Sequence, residues 1–156
     1  MPVRKANVED LAKVANLMKK HFKVHNIFQQ TSQEVLKYLH EQMQENELLV
    51  YEDKKSITGA LFLVNFQTSL NKYHRVWKFR HFAFETETIA LELLSEVENI
   101  VRNSSKTSKI ELTIAETELG IDFYKRYKYE QEAELKNHYR WGETCYVLAK
   151  SFKRQE

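Results

Sequence analysis

The segment Ile121-Asp122-Phe123-Tyr124-Lys125-Arg126-Tyr127-Lys128-Tyr129 decides how this chain is interpreted. It predicts a short helix over about Glu118–Arg126, followed directly by a strand over about Tyr129–Leu135. Judged by these residues alone, Tyr124 is one more core aromatic of an aromatic-rich helix. The segment therefore predicts a buried helix-to-strand junction in the last quarter of the chain.

Upstream of this junction, the sequence predicts a strand, two helices and a hairpin. Asn7, with Asp10 at the third helical position, is the predicted N-cap of the first helix, and the capping box Thr31…Glu34 opens the second. Apolar residues at helical spacing mark the buried faces, namely Leu11, Val14, Met18 and Phe22 in the first helix and Val35, Leu36, Leu39 and Met43 in the second. The predicted strands are Pro2–Ala6, Leu48–Tyr51 and Thr58–Phe66, with the polar stretch Glu52–Ser56 as the hairpin turn.

The next predicted strand contains a change of alternation. Trp77 and Phe79 are apolar at odd positions, whereas Phe82 and Phe84 are apolar at even ones. One extra residue reverses the face of every side chain after it, so we predict a β-bulge near residues 80 and 81. Such bulges are common beside active sites. A central strand with both faces buried is the other interpretation.

The remaining periodicity completes a mixed pattern of helices and strands. A helical apolar stripe after the bulged strand gives way to alternating strands near the end of the chain. The predicted elements are a strand at Arg75–Glu85, a helix from Ile89 to about Asn103, a strand at Ile110–Ile114, the short helix and strand described above, and a last strand at Glu143–Ala149. The predicted order is therefore β-α-α-β-β-β-α-β-α-β-β.

Composition excludes several classes of protein. The 156 residues include one proline and only three glycines, at positions 59, 120 and 142, so no Gly-rich phosphate loop exists. A formal net charge of +2 and 42% apolar residues indicate a folded domain rather than a disordered polyelectrolyte. The single cysteine, Cys145, lies in an alternating apolar segment and is interpreted as a buried small hydrophobe. The six histidines show no metal-ligand spacing, so we expect no metal.

Little in the sequence points to a membrane or nucleic-acid partner. The longest apolar run, Ala60–Val64, is too short to span a bilayer, and the N-terminus lacks the apolar core of a secretory signal. We therefore expect a soluble, cytoplasmic protein. Basic and aromatic residues interleave between Lys72 and His81, as in single-stranded nucleic-acid surfaces. Strand alternation sends the charges and the aromatics to opposite faces, however, so we expect no nucleic-acid partner.

The order of elements resembles that of the GNAT superfamily of acyl-coenzyme A-dependent N-acyltransferases, over essentially the whole chain. The opening Val3-Arg4-Lys5-Ala6-Asn7-Val8-Glu9-Asp10-Leu11 resembles the family's first strand and acidic helix cap. The segment 121–129 resembles its helix-to-strand segment with an aromatic–Tyr pair. The resemblance implies an α+β fold with a central, mostly antiparallel sheet flanked by helices, in a single domain over residues 1–156. It also implies transfer of an acetyl group from acetyl-CoA to a primary amine by direct attack.

The resemblance assigns roles to individual residues. It places Tyr124 on the tyrosine that in many members protonates the leaving coenzyme A thiolate, a task that suits a phenol with a pKa near 10. It implies that the bulged strand diverges from the strand Lys109–Ile114 and that backbone groups there bind the pantetheine arm and polarise the thioester carbonyl. The residues expected to bind the cofactor in this way are Phe82, Ala83 and Phe84 on the bulged strand and Ile114, Ala115 and Glu116 opposite them.

The resemblance does not identify a single residue as the general base or as the contact with the acceptor amine. Glu85, at the end of the bulged strand, and His81, beside the bulge, are candidates for taking the proton of the incoming ammonium. Each is as consistent with a solvated or structural role. Tyr139 and Arg140, in the turn before the last strand, are candidates for contact with the substrate, and a turn with incidental aromatics is equally consistent.

The sequence departs from the family where the coenzyme pyrophosphate is normally bound. Most members open the third helix with an Arg/Gln-x-x-Gly-x-Gly/Ala loop. Here the junction is Phe84-Glu85-Thr86-Glu87-Thr88-Ile89-Ala90, which contains two glutamates and no glycine. Thr86 and Thr88 are candidates either for capping the helix or for donating a hydroxyl to a phosphate. The cations available as substitutes are Lys125, Arg126 and Lys128.

Lys128 is a second departure, because the family usually ends its last helix with glycine at this position. A lysine there predicts either a strained left-handed residue or a turn of another shape.

Two functions from different classes stay open. One is an acetyl-CoA-dependent N-acetyltransferase acting on a small-molecule or peptide amine. The other is a catalytically inactive GNAT-like module that binds a ligand or a protein. The aromatic final strands are compatible with a homodimer.

Overall fold

The computed structural model describes residues 2–23, 27–118 and 120–154. In these ranges the chain forms seven strands and four α-helices in the predicted order, with short 3₁₀ turns at Val8–Asp10 and Ile27–Gln29. The elements are β1 (Val3–Lys5), α1 (Leu11–His21), α2 (Ser32–Glu45), β2 (Glu47–Asp53), β3 (Ser56–Thr68), β4 (His74–Phe84), α3 (Glu87–Asn103), β5 (Thr107–Ala115), α4 (Ile121–Arg126), β6 (Glu130–Lys136) and β7 (Thr144–Lys153).

The strands follow the order β1-β2-β3-β4-β5-β7-β6. The pairs β1–β2, β2–β3, β5–β7 and β6–β7 are antiparallel. β4 and β5 are parallel, with a register from His74–Thr107 to Lys78–Glu111. The predicted α+β class with a mostly antiparallel sheet is confirmed. In the described ranges, no helix combines the length and the hydropathy needed to cross a membrane.

Contacts divide the chain into two compact units. The first comprises Met1–Val64 with Phe79–Ile100, and the second comprises Asn65–Lys78 with Val101–Glu156. β3 and β4 contribute residues to both units. A single domain stays a prediction.

In the first unit, α1 and α2 each bury one face against the strands. Val14, Met18 and Leu39 have no exposed surface, and neither has Phe62 on β3. The prediction that Leu36 is buried is wrong, because this side chain is 36% exposed. One residue step turns a helix by about 100°, which puts Leu36 at the edge of the apolar stripe.

A charged network ties the start of the chain to α1 and β2. The Arg4 guanidinium donates to both carboxylate oxygens of Asp10, at 2.8 and 2.9 Å, and to Glu52 at 2.8 Å. The Arg4 hydrogen bonds lower the pKa of Asp10. Asp10 also accepts a hydrogen bond from the backbone N–H of Asn7 at 2.8 Å, as the sequence predicts for this cap.

Gly59 allows β3 and α3 to approach closely. A Cβ atom at this position would lie 2.6 Å from Leu93 Cδ1 and 2.7 Å from Ile89 Cγ2. Both distances are far below van der Waals contact, so one of the three glycines in the chain is needed for packing.

In the second unit, β5 and β7 pair from Thr107–Lys153 to Ala115–Cys145. Ile110 and Leu148 are fully buried, and the indole N–H of Trp77 donates to Ser104 Oγ at 3.0 Å. Cys145 is fully buried, as predicted.

Several turns use L residues in the left-handed backbone region that glycine usually occupies. Six non-glycine residues in the described ranges have φ between 49° and 70°, namely Lys54, Lys55, Lys72, His81, Lys128 and Asn137. Lys54 and Lys55 form the two-residue turn closed by the Asp53–Ser56 pair, where Asn-Gly is the usual choice. Because glycine is scarce in this chain, L residues occupy left-handed positions at the cost of local backbone strain.

The end of α4 shows this strain most clearly. Lys128 has φ 70°. Its N–H donates to the Lys125 carbonyl at 3.1 Å, and the N–H of Tyr129 donates to the Tyr124 carbonyl at 3.0 Å. This is the hydrogen-bond pattern of a Schellman motif, in which the left-handed position is normally glycine. Of the two outcomes that the sequence predicts, the strained left-handed residue is confirmed.

Replacing Lys128 with glycine should stabilise the protein. Lys128→Gly removes the steric cost of a left-handed L residue and should raise the free energy of unfolding by about 1 kcal/mol, measured by urea denaturation. Lys128→Ala keeps the Cβ and is the control, for which no stabilisation is expected. An equal gain from both variants would mean that the lysine side chain, and not the backbone, carries the cost.

Candidate functional site

The predicted irregularity in β4 is present at His81. This residue has φ 54°, a left-handed backbone in the middle of a strand. Before it, Phe79 is buried and Arg80 is exposed, whereas Phe82 and Ala83 after it are both buried. The left-handed residue explains why the apolar alternation in the sequence changes parity at this point.

His81 lies inside a cage of aromatic rings in the first unit. Its ring centroid is 5.1 Å from that of Phe28, 5.6 Å from Tyr38, 6.0 Å from Phe62 and 6.4 Å from Phe22, all in edge-to-face arrangements. Its Nε2 atom is 2.6 Å from the Tyr38 hydroxyl. Tyr38 is not among the residues predicted from the sequence, although it continues the apolar stripe of α2 between Val35 and Leu39.

Burial, with a smaller contribution from the positive charge of Arg80, lowers the pKa of His81 to about 4. The imidazole is therefore neutral throughout the physiological range and is a weak base. Burial likewise raises the pKa of Tyr38. The pair is thus a hydrogen bond between two neutral groups, which is the form that is cheapest to bury.

The backbone of Phe84, at the end of β4, meets a second histidine. His21 Nδ1 lies 3.3 Å from the Phe84 carbonyl oxygen and 3.4 Å from its nitrogen. A neutral imidazole satisfies one of these two contacts at a time, since Nδ1 either donates or accepts. Burial lowers the pKa of His21. The sequence analysis did not identify His21, whose position at the end of α1 carries no local motif.

The start of α3 is capped by its own threonine. The backbone N–H of Ile89 donates to Thr86 Oγ1 at 3.3 Å, so capping, one of the two predicted roles of Thr86, is confirmed. The hydroxyl proton of Thr86 is not used in accepting this bond. Glu85, Glu87 and Thr88 are exposed, and the N–H of Glu85 donates to the Thr58 carbonyl at 2.9 Å.

In the second unit, Tyr124 is buried on α4, with 7% of its surface exposed. Its ring packs edge-to-face against Phe123 and Tyr129, at centroid distances of 5.2 and 5.7 Å. Burial, and then the negative charge of Glu118, raise the pKa of Tyr124. The phenol therefore stays protonated and can donate a hydrogen bond, and the raised pKa makes it a weaker acid than a free tyrosine.

Ile114, Ala115 and Glu116 lie beside α4. A Cβ atom at Gly120 would be 3.8 Å from Ile114 Cδ1 and 3.7 Å from Tyr124 Cε2, so both residues border this glycine. The Ala115 N–H donates to Glu118 Oε2 at 2.7 Å, and the Glu116 N–H donates to the Thr144 carbonyl at 2.9 Å. Both amides are thus engaged within the protein.

Tyr139 and Arg140 lie on the exposed loop between β6 and β7. Tyr139 is 60% exposed. Arg140 Nη2 is 3.5 Å from a carboxylate oxygen of Glu143, a residue that is nine-tenths buried and also accepts from the Thr117 hydroxyl at 3.1 Å. Among the residues that the structure describes, no group of three or more His, Cys, Asp or Glu side chains is arranged to hold a metal.

Solved structures share this architecture along the whole chain. An aminoglycoside 6′-N-acetyltransferase complexed with coenzyme A has a TM-score of 0.78 at 13% identity, covering 100% of this chain and 99% of that chain. The chain has the GNAT fold. A protein of Desulfovibrio desulfuricans assigned to the GNAT family has a TM-score of 0.69 at 13% identity, with coverages of 95% and 96%. A ribosomal-protein-alanine N-acetyltransferase of Brucella melitensis has a TM-score of 0.67 at 14% identity, with coverages of 96% and 99%.

No family model matches the sequence, and no curated protein matches it by sequence. The GNAT fold is therefore shown by structural similarity at 13–14% sequence identity.

The partly buried imidazole of His81 predicts an acid-dependent loss of stability. The folded pKa of His81 is about 4, below the 6.5 of an unperturbed histidine. Between these values the unfolded chain binds more protons, so the free energy of unfolding should fall by about 2–3 kcal/mol as the pH drops from 7 to 4. His81→Asn, whose side chain tolerates a left-handed backbone, should lose most of this slope in urea titrations at several pH values. A slope equal to that of the wild type would assign the effect to other groups, such as His21.

Proposed function

We propose that this protein is an N-acetyltransferase that moves an acetyl group from acetyl-CoA to a primary amine of a small molecule or peptide. The observation that carries the proposal is the match of essentially the full chain to an acetyltransferase complexed with coenzyme A. The buried, protonated Tyr124 on α4 supports it, because this reaction needs a proton donor that stays neutral.

In the proposed reaction, a neutral amine attacks the thioester carbonyl carbon directly. The C–N bond forms, the C–S bond breaks, Tyr124 donates a proton to the sulfur as it leaves, and the acylated nitrogen releases a proton to water. Its raised pKa keeps the hydroxyl protonated before the reaction, and bulk solvent restores the proton afterwards. Backbone groups of Phe82, Ala83 and Phe84 on β4 are the proposed partners of the pantetheine arm and the carbonyl oxygen.

Glu85 is the better of the two candidates for the base. The ammonium of the acceptor must lose a proton before it attacks. Glu85 is exposed at the end of β4, where a carboxylate receives a proton directly or through water. His81 is enclosed by aromatic rings and its pKa of about 4 makes it a poor acceptor.

The groups at the start of α3 fit a pyrophosphate only in part. The Thr86 hydroxyl retains a proton to donate, and the helix N-terminus favours an anion. Glu85 and Glu87 oppose this, since their negative charges repel a phosphate. We therefore propose weak coenzyme binding in which the pantetheine contacts contribute more to affinity than the pyrophosphate contacts.

Tyr139 and Arg140 are the proposed contacts with the acceptor amine, because both are exposed on one loop.

Calorimetric titration with acetyl-CoA tests the proposal. Saturable binding with a dissociation constant between about 10 μM and 1 mM is expected, at the weak end of usual enzyme affinities. NAD, a nucleotide with neither pantetheine nor thioester, is the control ligand and should not bind. Absence of acetyl-CoA binding at millimolar concentration would overturn the proposed enzymatic function and favour a catalytically inactive module with the GNAT fold.

Tyr124→Phe tests the proton donor. With an amine acceptor in hand, kcat should fall by about 100-fold, the lower end of general acid–base effects, while the dissociation constant of acetyl-CoA changes little. Tyr127→Phe, at the residue that follows the last turn of the same helix, is the matched control and should keep its kcat. A Tyr124→Phe variant with unaltered kcat would remove this residue from the mechanism.

A further inference from the structure

The hydrogen bond between Tyr38 and His81 joins two elements far apart in sequence. Tyr38 projects from the middle of α2, and His81 is the left-handed residue of β4. The 2.6 Å contact is partly buried and lies among phenylalanine rings. A polar pair in such surroundings is costly unless both partners stay together, so the contact restricts where His81 sits.

The conformation of His81 determines the direction of the chain that follows. A left-handed φ in a strand rotates the next peptide groups relative to a regular strand. Four residues later, the N–H of Glu85 donates to the Thr58 carbonyl, which fixes the other end of the segment. The segment 82–84 is therefore held by the Tyr38 contact before it and the Thr58 contact after it, and Phe84 also contacts His21.

We propose that the Tyr38–His81 pair is a positioning device that sets the backbone of residues 82–84 for binding the acyl thioester, and that Tyr38 controls acetyl-CoA affinity without contacting the ligand. The inference rests on the proposed function, in which residues 82–84 supply the backbone groups. It assigns His81 to positioning rather than to proton transfer.

Tyr38→Phe is the decisive variant, because it removes one oxygen atom and keeps the aromatic packing. We expect the dissociation constant of acetyl-CoA to rise about tenfold, which is less than the roughly 10²-fold cost of a 1 Å misplacement of reacting groups. Amide hydrogen exchange at residues 82–84 should become faster than in the wild type. Tyr51→Phe is the matched control, because Tyr51 hydrogen-bonds to Glu92 in the same unit, away from β4. It should change neither the dissociation constant of acetyl-CoA nor the hydrogen exchange at residues 82–84.

A double-mutant cycle tests whether Tyr38 and His81 act together or independently on acetyl-CoA binding. His81→Asn retains a residue that tolerates the left-handed backbone, and adding it to Tyr38→Phe should raise the dissociation constant by less than the product of the two single effects. Independent effects that multiply would overturn the claim that the two residues act as one device.

The two readouts keep the inference distinct from the proposed function. If Tyr38→Phe leaves hydrogen exchange at residues 82–84 unchanged, the positioning role is overturned, whatever happens to the acetyl-CoA affinity. Faster exchange with an unchanged acetyl-CoA affinity overturns its control of binding. A wild-type protein that does not bind acetyl-CoA overturns the proposed function, and with it the control of affinity, while hydrogen exchange still decides whether the pair holds this backbone.

Discussion

The left-handed backbone at His81 is the constraint on which the candidate site in β4 depends. A non-glycine residue adopts it in a strand only when the surroundings compensate, and here the compensation is a partly buried hydrogen bond to Tyr38 and a cage of aromatic rings. The same burial makes the imidazole neutral. One feature therefore explains the altered alternation of β4, the unsuitability of His81 as a base, and the orientation of the peptide groups that follow it.

The order of elements and this irregularity could be predicted from the sequence, because both leave a periodic record in it. The alternation of Trp77 and Phe79 and then of Phe82 and Phe84 locates the change of face to within two residues. At Lys128 the sequence leaves two outcomes open, a left-handed residue or another turn, and the structure has the left-handed one. Leu36 was misplaced because periodicity defines the centre of an apolar stripe better than its edge.

The contacts that build the site could not be predicted in the same way. Tyr38 and His81 are 43 positions apart, and His21 and Phe84 are 63 apart. No local pattern encodes such pairs, since each depends on how helices pack on strands. Tyr38 occupied a buried stripe, and a polar tip in such a stripe demands a partner. The sequence alone does not identify His81 as that partner.

The start of α3 lacks glycine, and so do several turns elsewhere in the chain. If only the phosphate-binding loop lacked glycine, its absence would indicate that ligand binding was lost. Here the two-residue turn at Lys54 and Lys55, the end of α4 at Lys128 and the loop at Asn137 also use L residues at left-handed positions. The shortage of glycine is thus general, and it weakens the argument that the α3 junction changed because binding was lost. What bears on the ligand is the charge of Glu85 and Glu87, which stabilises the helix N-terminus and disfavours a phosphate there. In the proposed function, coenzyme affinity then depends on the pantetheine contacts of β4, whose geometry depends on His81.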